Sequence, residues 1–232
     1  MSPQDVARVA SLGLPVLCTD TCSVLDIMRD PTRDSARAHE RAAAQALLTS
    51  MTAGPTLISV VADQARREFG DNAPKVEQEA TQALLKLRER ITRANDIDKA
   101  FGGVGEVDLT HLDDHVPRAR AVADRWMVTS ATAGQSGEVA GRALARMLAP
   151  HTPSKKGKDS MKDCVVIETY LDVIAALRTA GLRSKIVFAS SNIDDYANER
   201  RGVLNPDLQA EFVPLNIEYA PNLAAAKHWL GI

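Results

Sequence analysis

The run Pro15-Val-Leu-Cys-Thr19, closed by Asp20, constrains the fold of this chain more than any other segment. It is nearly continuous in apolar residues instead of alternating, which suits a strand covered on both faces and therefore a parallel sheet between helices. A second such run, Lys185-Ile-Val-Phe-Ala189, leads into Ser190-Ser191-Asn192 and then Asp194-Asp195. Helix-period segments alternate with these runs, so the chain reads as α/β, with a mostly parallel central sheet flanked by helices. In such sheets ligands bind in the crevice outside the carboxyl ends of the strands, so the acids that close the runs are the first candidates for function.

The rest of the chain can be ordered around that core. An alanine-rich helix is expected over about 34–51, stopped by Gly54-Pro55, and Thr56-Leu-Ile-Ser-Val-Val61 reads as a strand or a strand running into a helix. A short helix over 63–69 is expected to end at Gly70. From Pro74 to about Ala100, Val76, Ala80, Ala83, Leu84, Leu87 and Ile91 recur at helical spacing. Further helices are expected over about 117–127 and 137–148, with no convincing strand among them. Residues 74–149 are thus expected to form a helical insertion or cap, and 1–73 with 150–232 the α/β core. In the second half, a helix over 161–179 opens on Ser160 and Asp163 in capping-box spacing. The run Glu211-Phe-Val-Pro-Leu215 and a last helix over 222–230 complete the alternation.

Composition narrows the function classes. The 232 residues suit one large domain or a domain with an insertion. A net charge of -2 argues against a generally basic nucleic-acid coat, so any polyanion contact must be local. Only 4% of residues are aromatic, which disfavours base-stacking platforms. The three cysteines Cys18, Cys22 and Cys164 form no CxxC pair and suggest neither a disulfide framework nor structural zinc. That usage points to a reducing compartment, and with no signal-like or membrane-spanning segment the expected location is cytoplasmic.

Three aspartates stand at the expected strand ends and helix start: Asp20, Asp195 and Asp163. Each has an ordinary structural use as a cap or turn residue. Together at one sheet edge, three carboxylates suit a hard divalent cation. Other patterns fall away. His111 and His115 lack the glutamate of a zinc-protease helix, Gly102-Gly103-Val-Gly105 follows no strand, and no P-loop or nucleophile elbow occurs.

The segments Val16-Leu-Cys-Thr-Asp20-Thr-Cys-Ser23, Lys158-Asp-Ser-Met-Lys-Asp163 and Val187-Phe-Ala-Ser-Ser191-Asn192-Ile-Asp-Asp195-Tyr196 resemble, in order and placement, the PIN-domain family of metal-dependent nucleases. They look like that family's opening Asp-Thr, its helix-start acid and its closing Thr-Asn-Asp-x-Asp-Phe signature. The chain departs from the pattern twice. Gln64 stands where the second acid usually follows a Val-Val run, and Ile193 takes the first aspartate position of the closing signature.

The resemblance implies an endoribonuclease in which Asp20, Asp163 and Asp195 ligate Mg²⁺ or Mn²⁺, with Asp159, Asp63 and Glu68 in reserve. Thr21, Ser23, Gln64, Ser191 and Asn192 would orient the carboxylates or bind phosphate. Lys155, Lys156, Lys158 and Lys162 could draw an RNA strand toward the metal. RNA is the expected partner, with an antitoxin-like protein or a second copy of the chain as further possibilities. Two alternatives stand beside it. A PIN-like module could bind nucleic acid without turnover, given Gln64 and Ile193. An aspartyl phosphatase of the haloacid-dehalogenase type would also begin with a strand ending in Asp, but needs an acid where Cys22 stands.

Overall fold

The computed structural model describes residues 1–155, 157, 159–198 and 202–232. In chain order the elements are α1 (Pro3–Leu12), β1 (Val16–Thr19), α2 (Thr21–Leu25), α3 (Ala38–Thr52), β2 (Ile58–Ala62) and α4 (Asp63–Ala100). A 3-10 turn, Thr110–Leu112, precedes α5 (His115–Thr129), β3 (Ala131–Ala133) and α6 (Gly137–Leu148). The second half holds α7 (Met161–Thr179), β4 (Ile186–Ala189), α8 (Ile193–Tyr196), β5 (Ala197–Asn198) and β6 (Val203–Leu204). It ends with α9 (Pro206–Leu215), β7 (Ile217–Ala220) and α10 (Leu223–Leu230).

The central sheet has five parallel strands in the order β3-β2-β1-β4-β7, and β5 and β6 form a separate antiparallel pair. Strands β1 and β4 are buried at every residue, as continuous apolar runs require. Two groups of helices provide the cover: α7 with α1, α6 and α9, and α3 with α5 and α10. The Phe188 ring of β4 anchors the core, its centroid 5.2 Å from that of Tyr196, 5.7 Å from Tyr170 and 5.9 Å from Phe212. Tyr170 also ties α7 to the sheet, its buried hydroxyl donating to the Thr19 carbonyl at 2.6 Å and accepting from the Ala62 amide at 3.0 Å.

From β1 the chain moves to β2 and β3 on one side, then crosses back to β4 and β7 on the other. The switch point therefore lies at the carboxyl ends of β1 and β4, where α/β sheets hold their ligands. Asp20 follows β1 and Ser190 follows β4 at that edge, and the Asp20 amide donates to the Ala189 carbonyl at 2.9 Å.

Four sequence expectations need correction. The helix expected to stop at Gly70 instead continues as one element to Ala100. Ala65, Phe69, Ala73, Val76, Ala80 and Leu84 form one buried stripe across the break, while Gly70 and Pro74 both lie on the exposed face. Packing of the stripe outweighs the local cost of glycine and proline. The segment 74–149, expected to be wholly helical, supplies the edge strand β3. Ala-Thr-Ala is too short to carry a period-2 signal. The run 211–215 is the end of α9, with Leu208 and Phe212 buried one turn apart, and the strand is the following Ile217–Ala220. Finally, Ser160 precedes α7 but makes no side-chain cap: its φ/ψ of -114°/15° is not extended, and Asp159 accepts the Met161 amide instead at 3.3 Å.

Candidate functional site

A cleft of about 390 Å³ opens at this edge, and Asp20, Glu68 and Asp163 all line it. They come from the end of β1, the second turn of α4 and the first turn of α7. Asn192, Asn72, Thr21, Cys22 and Glu79 share the lining, as do two cations, Arg29 and Lys75.

Asp20 is the most buried of these acids, at 4% exposure, and is held at both oxygens. Oδ1 accepts the Thr21 amide at 2.8 Å, so Asp20 also caps α2. Oδ2 accepts the Ser190 hydroxyl at 2.8 Å and the Cys22 thiol at 3.2 Å. Burial raises its pKa above the ordinary carboxylate value, and the nearby Glu68 charge acts in the same direction. The hydrogen bonds from Ser190, Cys22 and Thr21 oppose that shift without cancelling it. Burial likewise pushes the Cys22 thiol well above its usual range, with Asp20 adding to the effect.

Of the two reserve acids on α4, only Glu68 lines the cleft. The Thr21 hydroxyl donates to Glu68 Oε2 at 3.1 Å and to the Ala65 carbonyl at 3.1 Å, while Gln64 donates to Glu68 Oε1 at 3.0 Å. Gln64 thus holds a carboxylate one turn along the helix. Asp63 pairs with the exposed Arg67 at 2.5 Å and is not part of the lining.

Asp195 is 2% exposed and lies off the cleft lining. Asn192 links it to the cleft, donating from Nδ2 to Asp195 Oδ2 at 2.7 Å and from its backbone amide to Ser190 Oγ at 3.2 Å. Ser23 accepts the Ser191 amide at 3.0 Å, so this pair fastens the loop after β4 to α2 and does not face the cleft. Asp159 is exposed at the start of α7. Lys155 stands 3.7 Å from Asp195 and also donates to the Asp194 carbonyl. Lys162 is exposed and off the lining, and Lys156 and Lys158 lie outside the described residues.

Sequence reasoning missed Ser190, Tyr196, Arg29 and Lys75 as site residues. Ser190 was legible as the first polar residue after β4. Tyr196 is completely buried, and its hydroxyl has no hydrogen-bond partner among the described residues. Burial raises its pKa most, and the charges of Asp20 and Asp163 act in the same direction.

Among the described residues, no three His, Cys, Asp or Glu side chains are close enough to close around an ion by themselves. Mg²⁺ and Mn²⁺ favour oxygen donors, and Mg²⁺ in particular keeps several waters while taking one or two carboxylates. An open cleft edged by spaced carboxylates and the carboxamides of Asn72 and Asn192 fits such a hydrated ion better than a bare, fully caged one. Among the described residues, no helix is long and apolar enough to cross a membrane. Comparison with family models, with curated proteins and with solved structures finds no match to this chain.

Proposed function

We propose that the protein is a PIN-like, divalent-metal-dependent endoribonuclease of a reducing, cytoplasmic compartment. The observation that carries this reading is the convergence of Asp20, Glu68 and Asp163, from three separate elements, on one cleft at the switch point of the sheet. Glu68 then serves in place of the acid missing at Gln64.

In this reading Asp20, Glu68 and Asp163 hold Mg²⁺ or Mn²⁺, which when bound supplies an activated water and charge stabilisation at the phosphate. The chain's own residues prepare the site. Ser190, Cys22 and the Thr21 amide fix the Asp20 carboxylate, and Thr21 and Gln64 fix Glu68. Asn192 lines the cleft and holds the buried Asp195, which stands at the second acid position of the PIN signature, by a hydrogen bond from Nδ2. Arg29 and Lys75 offset the like charge that would otherwise repel a polyanion.

Purified protein should cleave single-stranded RNA with Mn²⁺ or Mg²⁺, and Asp20→Asn or Asp163→Asn should each lower the rate at least about a hundredfold. Cleavage that survives both substitutions would place the activity elsewhere. A second reading, RNA binding without turnover, draws on the absence of a closed three-acid cage among the described residues. Metal-independent binding with no cleavage under any ion would select it. A phosphatase is less well supported, because Cys22 stands where the second acid is needed and its thiol donates to Asp20.

A further inference from the structure

Helix α4 leads out of the cleft along one face. Glu68, Asn72, Lys75 and Glu79 line the cleft, and the same face continues through Gln82, Lys86, Arg90 and Arg93. At 3.6 residues per turn all of these positions fall within a sector of about 80°. From Asn72 outward every one of them is exposed, beside the buried stripe that runs from Ala65 to Leu84. A second open groove, of about 480 Å³, begins at Glu79, which also lines the cleft, and is walled by Gln82, Lys86 and Arg90 and by Thr32 from the segment between α2 and α3.

The charge along this face changes with distance from the cleft. The acids of the second groove are engaged locally: Asp30 accepts the amide and hydroxyl of Thr32 at 2.7 and 2.8 Å, and Glu79 stands 3.9 Å from Lys75 Nζ. Further out Lys86, Arg90 and Arg93 follow one another one turn apart, with Glu89 just outside the sector. Among the described residues none of these three cations makes an ion pair, whereas Arg88 and Lys99 on the neighbouring faces pair with Asp113 and Glu106. Nor do they serve packing, since α4 buries no residue beyond Leu84. Exposed, unpaired cations in a row attract a polyphosphate backbone irrespective of its sequence, by releasing its counterions. In a chain of net charge -2 such a local patch is what a polyanion requires.

We propose that the exposed face of α4 from Lys75 to Arg93 is an arm that holds single-stranded RNA as it leaves the carboxylate cleft, with Lys86, Arg90 and Arg93 on its phosphates. The choice of RNA rests on the nuclease reading of that cleft, whereas the affinity of the face for a polyanion does not. Lys86 stands about 27 Å along the helix axis from Glu68 at 1.5 Å per residue. A strand held at both places therefore spans about eight stacked nucleotides at 3.4 Å each.

The first test is equilibrium binding of a fluorescent single-stranded RNA of about 15 nucleotides to the Asp20→Asn protein in EDTA, across a salt series. Lys86→Gln, Arg90→Gln and Arg93→Gln together should weaken binding about tenfold and lower the salt slope by about 2, roughly 0.7 for each phosphate no longer neutralised. Glutamine keeps the helix propensity of these exposed positions, so the fold is retained. Lys86→Arg with Arg90→Lys and Arg93→Lys keeps the charge and should keep the slope. The second test is cleavage by the protein with Asp20 intact in Mn²⁺: the triple glutamine variant should raise KM for the long RNA about tenfold at unchanged kcat, and leave a trinucleotide, too short to reach Lys86, unaffected. Unchanged affinity and slope in the triple variant overturn the proposal. So does equal, variant-sensitive binding of polyglutamate, which would assign the face to an acidic protein. Cleavage with KM unmoved disproves the arm alone. Arm-dependent RNA binding in a protein that never cleaves disproves the nuclease reading and leaves the arm standing.

Discussion

Helix α7 borders two charged clusters with opposite construction. In its middle, Glu168 is 6% exposed and accepts Arg146 Nε at 2.7 Å and Arg142 Nε at 3.0 Å. Arg146 is saturated in turn, reaching both oxygens of Glu211 at 2.8 and 2.7 Å and the Thr152 carbonyl at 2.6 Å. Near its start, the cleft gathers Asp20, Glu68 and Asp163, and Asp20 is satisfied by an amide, a hydroxyl and a thiol, none of them a cation. The first cluster neutralises its buried charge internally and joins α6, α7 and α9. In the second, the hydrogen bonds of Asp20 hold its carboxylate without a cation. Burial of charge alone therefore does not mark a functional site; what matters is whether the fold supplies the opposite charge.

The largest effect should come from breaking the internally neutral cluster. Arg146→Met leaves Glu168 buried beside only the more exposed Arg142, and should cost about 3–5 kcal/mol in a denaturant melt. A cost below about 1 kcal/mol would mean that the two clusters do not differ in the way described. Next, Mn²⁺ at a hundred times its dissociation constant should stabilise the native protein by about 2.7 kcal/mol. The same ion should leave Asp20→Asn unmoved, and equal stabilisation of the two proteins would remove the cleft as the binding site. The smallest effect is the gain expected in EDTA when Asp20 loses its charge. Because the folded state raises the Asp20 pKa, its stabilising contribution is complete below the unfolded value of 3.8 and is lost as pH rises through the higher folded value. Asp20→Asn should therefore be more stable than the native protein near pH 7, by about 0.5–2 kcal/mol, with the difference closing toward acid pH. Melting temperatures across pH 3.5–8 would check the sign.

The parts of the fold that were legible in sequence are those with long or uniform signals. The fully buried strands β1 and β4 announced a covered parallel sheet, and α7 was bounded correctly at Met161 and Thr179. What escaped depended on tertiary contacts. The β3 strand exists because Ala131–Ala133 pairs with Val60–Ala62, and α4 passes Gly70 and Pro74 because its buried stripe continues beyond them. At the candidate site, Asp20 and Asp163 were found from their places at a strand end and a helix start. Asp195 was placed at the right edge, but its burial behind Asn192 could not be read from a short polar loop. Glu68 was one of two choices, and only the helical phase of α4 relative to β1 selected it over Asp63. Ser190 meets Asp20 across more than 100 residues of chain, and no local pattern encodes such a pairing.

The 38 residues of α4 span roughly 57 Å at 1.5 Å per residue. Its first turns are fixed in the main core through Ala65, Phe69, Ala73 and Val76, and Ala80 and Leu84 join a small satellite cluster with Val116. Beyond Leu84 the helix buries no further residue. One continuous helix therefore contains a gradient of local unfolding free energy, from near the global value beside Glu68 to little at Ala100. Its far third can fray and re-form while the carboxylate cleft keeps its shape.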